Sequence, residues 1–167
     1  DLSTFKHLIW ECGGEYLDHT FNHQGSCGGA LIVAFRRAKT IQPKPYIDVD
    51  ARIIKLEKRI AQYKAQMAIM GELLDGLPKP VYGYGASLML ATLGYHLGTD
   101  FSAIECILDD DPKQDGATYE NIPVMVKHTA NVSPAPNSSY IITSLENTRP
   151  IYRRILELYP RRIMIPL

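Results

Sequence analysis

The segment that decides the fold is residues 81–87, with the sequence VYGYGAS. The short apolar strand Pro80–Gly83 meets a helical pattern over Ala86–Leu97, with a glycine turn between them. Gly83 is expected to permit the sharp turn, and Gly85 to let a ligand approach the backbone. The free amides at the start of the helix then predict an anion site.

An acidic run, Asp109-Asp110-Asp111, begins twenty-six residues after Gly83 and directly follows the apolar segment Ala103–Leu108. An acid at the end of the second strand can accept hydrogen bonds from a ribose or sugar hydroxyl. The dinucleotide pattern G-x-G-x-x-G is incomplete, because Leu88 stands at the third glycine position. Two interpretations therefore stay open, a ligand site or a tight turn without ligand. At most one of the three acids is expected to touch a ligand.

The alternation of strands and helices continues to residue 165. The further segments are the strand Ile122–Val126, the strand Ser139–Thr143, the helix Arg149–Tyr159 and the closing segment Arg162–Ile165. Such alternation favours a parallel sheet with right-handed crossovers. The fold class predicted for residues 79–167 is α/β, a small Rossmann-like parallel sheet with flanking helices.

Residues 39–78 are predicted to form a linker and a long helix. Pro43 and Pro45 favour an extended connector, and Asp48 or Asp50 is expected to cap a helix that runs to about Leu74. Apolar residues recur along it as a heptad seam: Ile53, Leu56, Ile60, Tyr63, Met67, Met70 and Leu74. The helix either lies along its own or a neighbouring domain, which we favour, or forms a homodimer through residues 53–74.

Residues 1–38 predict a helix over Ser3–Cys12, a strand over Tyr16–Phe21, a glycine-rich loop and a strand over Leu31–Phe35. This unit is smaller than most domains that fold alone, so we expect it to be the remnant of a preceding domain. In the loop, His23 is a weak candidate for a base or a sugar contact. Cys27 has no histidine–acid partner that would make it a nucleophile.

Composition excludes several functions. The 167 residues carry 18 basic and 18 acidic side chains, so the formal charge is zero. Nucleic-acid binding needs a basic excess, and a membrane span needs about eighteen consecutive apolar residues; neither is present in the sequence. Three cysteines without zinc-ligand spacing indicate free thiols, a cytoplasmic location and no metal.

Four segments resemble the C-terminal domain of SAM-dependent sugar C-methyltransferases, which act on nucleotide-linked deoxysugars. They are residues 83–87 (GYGAS), residues 108–116 (LDDDPKQDG), residues 121–124 (NIPV) and residues 163–167 (IMIPL). Residues 1–38 are similar to the last helix and strand hairpin of the methyltransferase domain that precedes it in the family. The chain departs from the family at Met89-Leu90, where Lys-Gly is common, and at Glu146-Asn147, where a Trp-Asn pair is common.

The resemblance implies that this chain is the C-terminal part of such an enzyme and binds or positions the nucleotide sugar. S-adenosylmethionine and the catalytic groups would then belong to a core outside the chain, so no catalytic residue is predicted here. The predicted substrate-binding residues are Gly83, Tyr84, Gly85, Ala86, Ser87, Asp109 and Asn147.

Two other functions remain as alternatives. The chain is either an autonomous Rossmann-like module for NAD or a nucleotide sugar, or a non-enzymatic dimerisation or scaffold domain.

Overall fold

A computed structural model describes residues 2–22 and 30–166. The chain divides into two compact units, one up to Lys58 and one from Arg59 onward. The boundary falls inside the long helix. No helix within the described ranges combines the length and the apolar character that crossing a membrane requires.

The N-terminal unit is a helix with a strand pair, as predicted. Helix α1 spans Leu2–Glu11, and strands β1 (Gly14–Asn22) and β2 (Ala30–Arg37) pair antiparallel. Gly13 ends the helix in the left-handed region, at φ +71°. Across the strand pair, the Arg36 guanidinium donates to the Glu15 carboxylate at 2.8 Å. The candidates His23 and Cys27 lie outside the described residues.

The long helix, α2, spans Val49–Asp75, and its first turn is capped by Asp48, which accepts from the Ala51 amide at 2.9 Å. The last part of its seam packs within the C-terminal unit. Met67 and Leu74 are each 1% exposed in the hydrophobic core of the C-terminal unit, and Met70 packs against that core. The preference for a helix that lies along its own domain is therefore confirmed for this part.

The C-terminal unit contains five parallel strands, which confirms the predicted α/β class and small Rossmann-like fold. The strands are β3 (Val81–Tyr84), β4 (Ile107–Asp109), β5 (Val126–His128), β6 (Ser139–Ile142) and β7 (Arg162–Met164). Their order is β5-β4-β3-β6-β7, which is the 3-2-1-4-5 order of a Rossmann-type sheet. The helices of this sheet are α3 (Leu90–Leu97) and α4 (Thr148–Leu156).

Two buried clusters hold this sheet. One contains residues from α2, α3 and the strands, among them Leu74, Leu93 and Ile107. The other contains Tyr84 and Tyr140 together with Ile155 of α4. A sheet covered by apolar side chains on both sides agrees with the continuous apolar character of its strands.

Several boundaries differ from the sequence-based predictions. The helix predicted from Ala86 begins at Leu90, and two amides before it bond to side chains: Asp109 accepts from Ala86, and Ser87 from Met89. The strand predicted at 103–108 is β4, at 107–109.

The strand predicted at 122–126 is also displaced and begins only at residue 126, as β5. Ile122 instead forms an isolated antiparallel bridge with Tyr119. Pro123 follows it and has no amide hydrogen to donate to a ladder.

Gly71 provides a test of the contact between α2 and α3. A Cβ at Gly71 would lie 2.1 Å from the carbonyl oxygen of Leu97, which is backbone and cannot move aside easily. We therefore expect Gly71→Ala to lower the free energy of unfolding by about 1–3 kcal/mol, despite the better helix propensity of alanine. Urea denaturation followed by circular dichroism measures this change.

Gly76→Ala is the matched control, because a Cβ there meets no atom closer than 3.6 Å. Its free energy of unfolding should stay near that of the wild type. Equal stabilities of the two variants would contradict the close contact at Gly71.

Candidate functional site

A depression of about 380 Å³ lies at the carboxyl ends of β3, β4 and β6, where the strand order reverses. Rossmann-type sheets bind ligands at this point, because neighbouring connections leave the sheet in opposite directions there. We call this depression the crevice. Its lining residues are Tyr84, Gly85, Ala86, Asp109, Asp110, Asp111, Gln114, Ser144, Asn147, Pro150 and Ile151. A larger, open depression in the N-terminal unit contains none of the predicted site residues.

The crevice brings together most of the predicted binding residues. Tyr84, Gly85, Ala86, Asp109 and Asn147 line it. The two remaining predictions, Gly83 and Ser87, are not among the lining residues. Five of the seven predicted residues therefore line this crevice, and their binding of a ligand stays a prediction.

Gly83 is part of strand β3 rather than of the turn, which corrects its predicted role. A Cβ there would lie 3.1 Å from side-chain atoms of both Ile104 and Ile107. The packing of neighbouring apolar side chains therefore favours glycine at this position.

The turn itself occurs at Gly85, whose φ is +99°. A Cβ there would lie 2.5 Å from the Cβ of Ser144 and 2.8 Å from the Cδ1 of Ile151. Side chains of the protein itself therefore approach the backbone at Gly85. This contact accounts for the glycine without the predicted approach of a ligand. The Gly85 amide is also engaged, because it donates to the Leu108 carbonyl at 2.8 Å.

Asp109 connects the turn after β3 to the end of β4. One carboxylate oxygen accepts from the Ala86 amide at 2.6 Å, and the other from the Asp111 amide at 2.8 Å. Two backbone donors therefore hold this carboxylate in one orientation. Asp111 has a local role as well, since it accepts from the Lys113 amide at 2.9 Å and caps a short 3₁₀ turn.

Asp110 is the centre of a polar cluster beside the crevice. One of its oxygens accepts from the Tyr84 hydroxyl at 2.9 Å and from the Thr129 hydroxyl at 2.8 Å, and Arg154 lies 3.9 Å away. Burial raises the pKa of the Tyr84 phenol far above its usual value, and the Asp110 carboxylate adds to the shift, whereas Arg154 opposes it. Tyr84 therefore remains a neutral donor.

The lining of the crevice combines two kinds of residue. Asp109, Asp110 and Asp111 are acidic, and Pro150 and Ile151 of α4 are apolar. Among the described lining residues, none is Lys, Arg or His. Such a site accepts hydrogen bonds from hydroxyl groups and is unfavourable for an anion.

Sequence reasoning missed part of the lining. Gln114, Ser144, Pro150 and Ile151 were not predicted, and of the acidic run only Asp109 was. Ser144 could have been found, because it follows the end of β6 closely and carboxyl ends of parallel strands meet at one edge. Pro150 and Ile151 depend on how α4 packs, and no motif indicates that.

Metal and thiol chemistry are not indicated by the described residues. Within residues 2–22 and 30–166, no group of three His, Cys, Asp or Glu side chains could hold a metal ion. Cys12 and Cys106 are free thiols, and burial raises the pKa of the Cys106 thiol.

A scan against protein-family models finds no match for this chain, and a search of curated proteins finds no significant one.

Tyr84 predicts a measurable pH dependence. Folded Tyr84 keeps its proton to a higher pH than the unfolded chain does, so the unfolded state loses protons first above about pH 10. Stability should then fall as the pH rises through this range. We expect the fall to be shallower in Tyr84→Phe than in the wild type.

Urea denaturation at a series of pH values from about 8 to 11 measures this slope. At neutral pH, the difference in the free energy of unfolding between Tyr84→Phe and the wild type reports the loss of the hydrogen bond to Asp110. This difference is the control. Identical alkaline slopes would contradict the raised pKa.

Proposed function

We propose that the C-terminal unit binds the hydroxylated part of a nucleotide-linked sugar in the crevice. The observation that carries the proposal is the oriented Asp109 carboxylate at the end of β4, beside the strand-order reversal. Each of its oxygens accepts one backbone hydrogen bond and has further acceptor capacity for a ligand hydroxyl. Asn147 adds a side-chain amide on the same crevice.

A sugar can also pack against the apolar lining residues of the crevice. Pyranose rings have carbon-bound hydrogens on their faces and hydroxyls at their edges, so they pack well between apolar and acceptor surfaces. Pro150 and Ile151 offer the apolar surface, opposite in character to the three carboxylates. A dinucleotide fits less well, because its pyrophosphate requires amides at a helix start, whereas the Ala86 amide is engaged and α3 begins only at Leu90.

The enzyme to which this binding activity would belong is a SAM-dependent sugar C-methyltransferase. Four short segments support this proposal by their resemblance to the C-terminal domain of that family, in the family's order. The role proposed for this chain is to bind and position the substrate. Methyl transfer, proton abstraction and the S-adenosylmethionine site are assigned to none of its residues.

Titration of ¹⁵N-labelled protein with dTDP-glucose and UDP-glucose tests the binding. Amide resonances of Tyr84, Ala86, Asp109 and Asn147 are expected to shift at millimolar ligand. Asn147→Ala should weaken the affinity about two- to tenfold, which is the effect of one lost hydrogen bond.

Glu146→Ala is the matched control, because Glu146 is exposed on the same 3₁₀ turn and does not line the crevice. Absence of crevice shifts with both sugars would contradict the proposal. Tighter binding of NADH or S-adenosylmethionine in the crevice would favour the autonomous nucleotide module instead.

Self-association is a second candidate function, favoured by the uncovered half of the α2 seam. Ile53, Leu56 and Ile60 are 49%, 58% and 46% exposed, and Tyr63 continues the same heptad spacing at 37%. An apolar stripe of this period is what a second helix covers in a coiled coil. The partner we propose is a second copy of this chain.

Light scattering tests this candidate. The wild type should be a dimer, and Ile60→Glu should shift it to monomer. Ile54→Glu should remain dimeric, because Ile54 is 66% exposed and lies off the stripe. A wild type that is monomeric at every concentration contradicts self-association.

A further inference from the structure

Phosphate groups bind glycine turns of Rossmann-type sheets through backbone amides of the turn and the following helix. In this chain two amides of the turn, those of Gly85 and Ala86, are already engaged. The Ala86 amide donates to one oxygen of Asp109 at 2.6 Å, and the Asp111 amide to the other at 2.8 Å. The Gly85 amide donates within the sheet, to Leu108.

Charge adds to this arrangement. The carboxylates of Asp110 and Asp111 line the same crevice. The nearby guanidinium of Arg154 is engaged by Glu157 at 2.5 Å and lies close to Asp110 at 3.9 Å. A phosphate entering the crevice would meet three acidic lining residues, and the Gly85 and Ala86 amides would already be engaged.

We infer that Asp109 is a resident anion at the phosphate position of the turn, so that the crevice selects a neutral, hydroxyl-bearing ligand end and leaves phosphate outside. The position of Asp109 at the turn is a property of this chain alone. The selection of a hydroxyl-bearing ligand end rests on the proposed function, since it assigns the glycosyl end of a nucleotide sugar to the crevice and its diphosphate to the surrounding surface.

The inference explains two departures of the chain from a phosphate-binding turn. Leu88 replaces the third glycine, and Met89 stands where the resembled family commonly has lysine. Leu88 is 98% exposed and Met89 49% exposed. Neither side chain offers a donor to an anion, which agrees with a turn whose anion is supplied by the protein.

Two probes, inorganic phosphate and methyl α-D-glucopyranoside, test the inference on ¹⁵N-labelled protein. In the wild type, phosphate should leave the Ala86 and Asp111 amide resonances in place, and the neutral glycoside should shift them. In Asp109→Ala both amides are released and one negative charge is lost. Phosphate should then shift both resonances and bind about tenfold more tightly than to the wild type, as expected for regained charge-assisted hydrogen bonds.

Asp100→Ala is the matched control, because Asp100 is exposed and accepts from the Ser102 amide at 2.9 Å in a similar local turn. It should leave phosphate binding at the wild-type level. Asp109→Asn keeps the size of the side chain, serves if Asp109→Ala does not fold, and should show intermediate phosphate binding.

Phosphate shifts of the Ala86 and Asp111 amides in the wild type would overturn the inference, as would a folded Asp109→Ala that does not bind phosphate. These outcomes are separate from failure of the proposed function. The phosphate arm requires no sugar binding, whereas the proposed function fails when nucleotide sugars leave the crevice resonances unchanged.

Discussion

Gly83 in strand β3 and Gly85 directly after it are approached closely by neighbouring side chains, and this close approach organises the C-terminal unit. At Gly83 the space is filled by Ile104 and Ile107, and at Gly85 by Ser144 and by a residue of α4. The protein interior is packed densely, so such contacts leave little freedom for the elements that make them. The loop after β6 and helix α4 are thereby held against the turn, and the crevice takes its shape from that contact.

The same approach determines the chemistry of the crevice. Because β3 and β4 are adjacent and parallel, the end of β4 brings Asp109 to the turn after β3. The Asp109 carboxylate accepts from the Ala86 amide, which is a donor of the turn that a bound anion would otherwise use. This contact is the basis of our proposal that the crevice takes a sugar hydroxyl in preference to a phosphate.

The heptad pattern of helix α2 runs through a buried part and an exposed part of the helix. Its apolar residues repeat with heptad spacing from Ile53 to Leu74, and the spacing alone makes no distinction along the helix. The sheet and α3 cover only its last part, where Met67 is 1% exposed. Gly71 permits the backbone of α3 to approach there. The first part is left for another surface, and self-association is the role we propose for it.

The sequence by itself determined the α/β class, the segments that become strands and helices, and the edge of the sheet where polar residues meet. These follow from local signals: apolar runs bounded by glycine and proline, helical periodicity, and acids placed directly after a strand. The structural roles of the individual residues were decided only by the tertiary structure. The roles of Gly83 and Gly85 depend on side chains distant in sequence, the Ala86 amide bonds to Asp109, and Pro150 and Ile151 reach the crevice through the packing of α4. Contacts between residues far apart in sequence leave no local pattern, and for that reason the chemistry of the crevice became visible only in the folded chain.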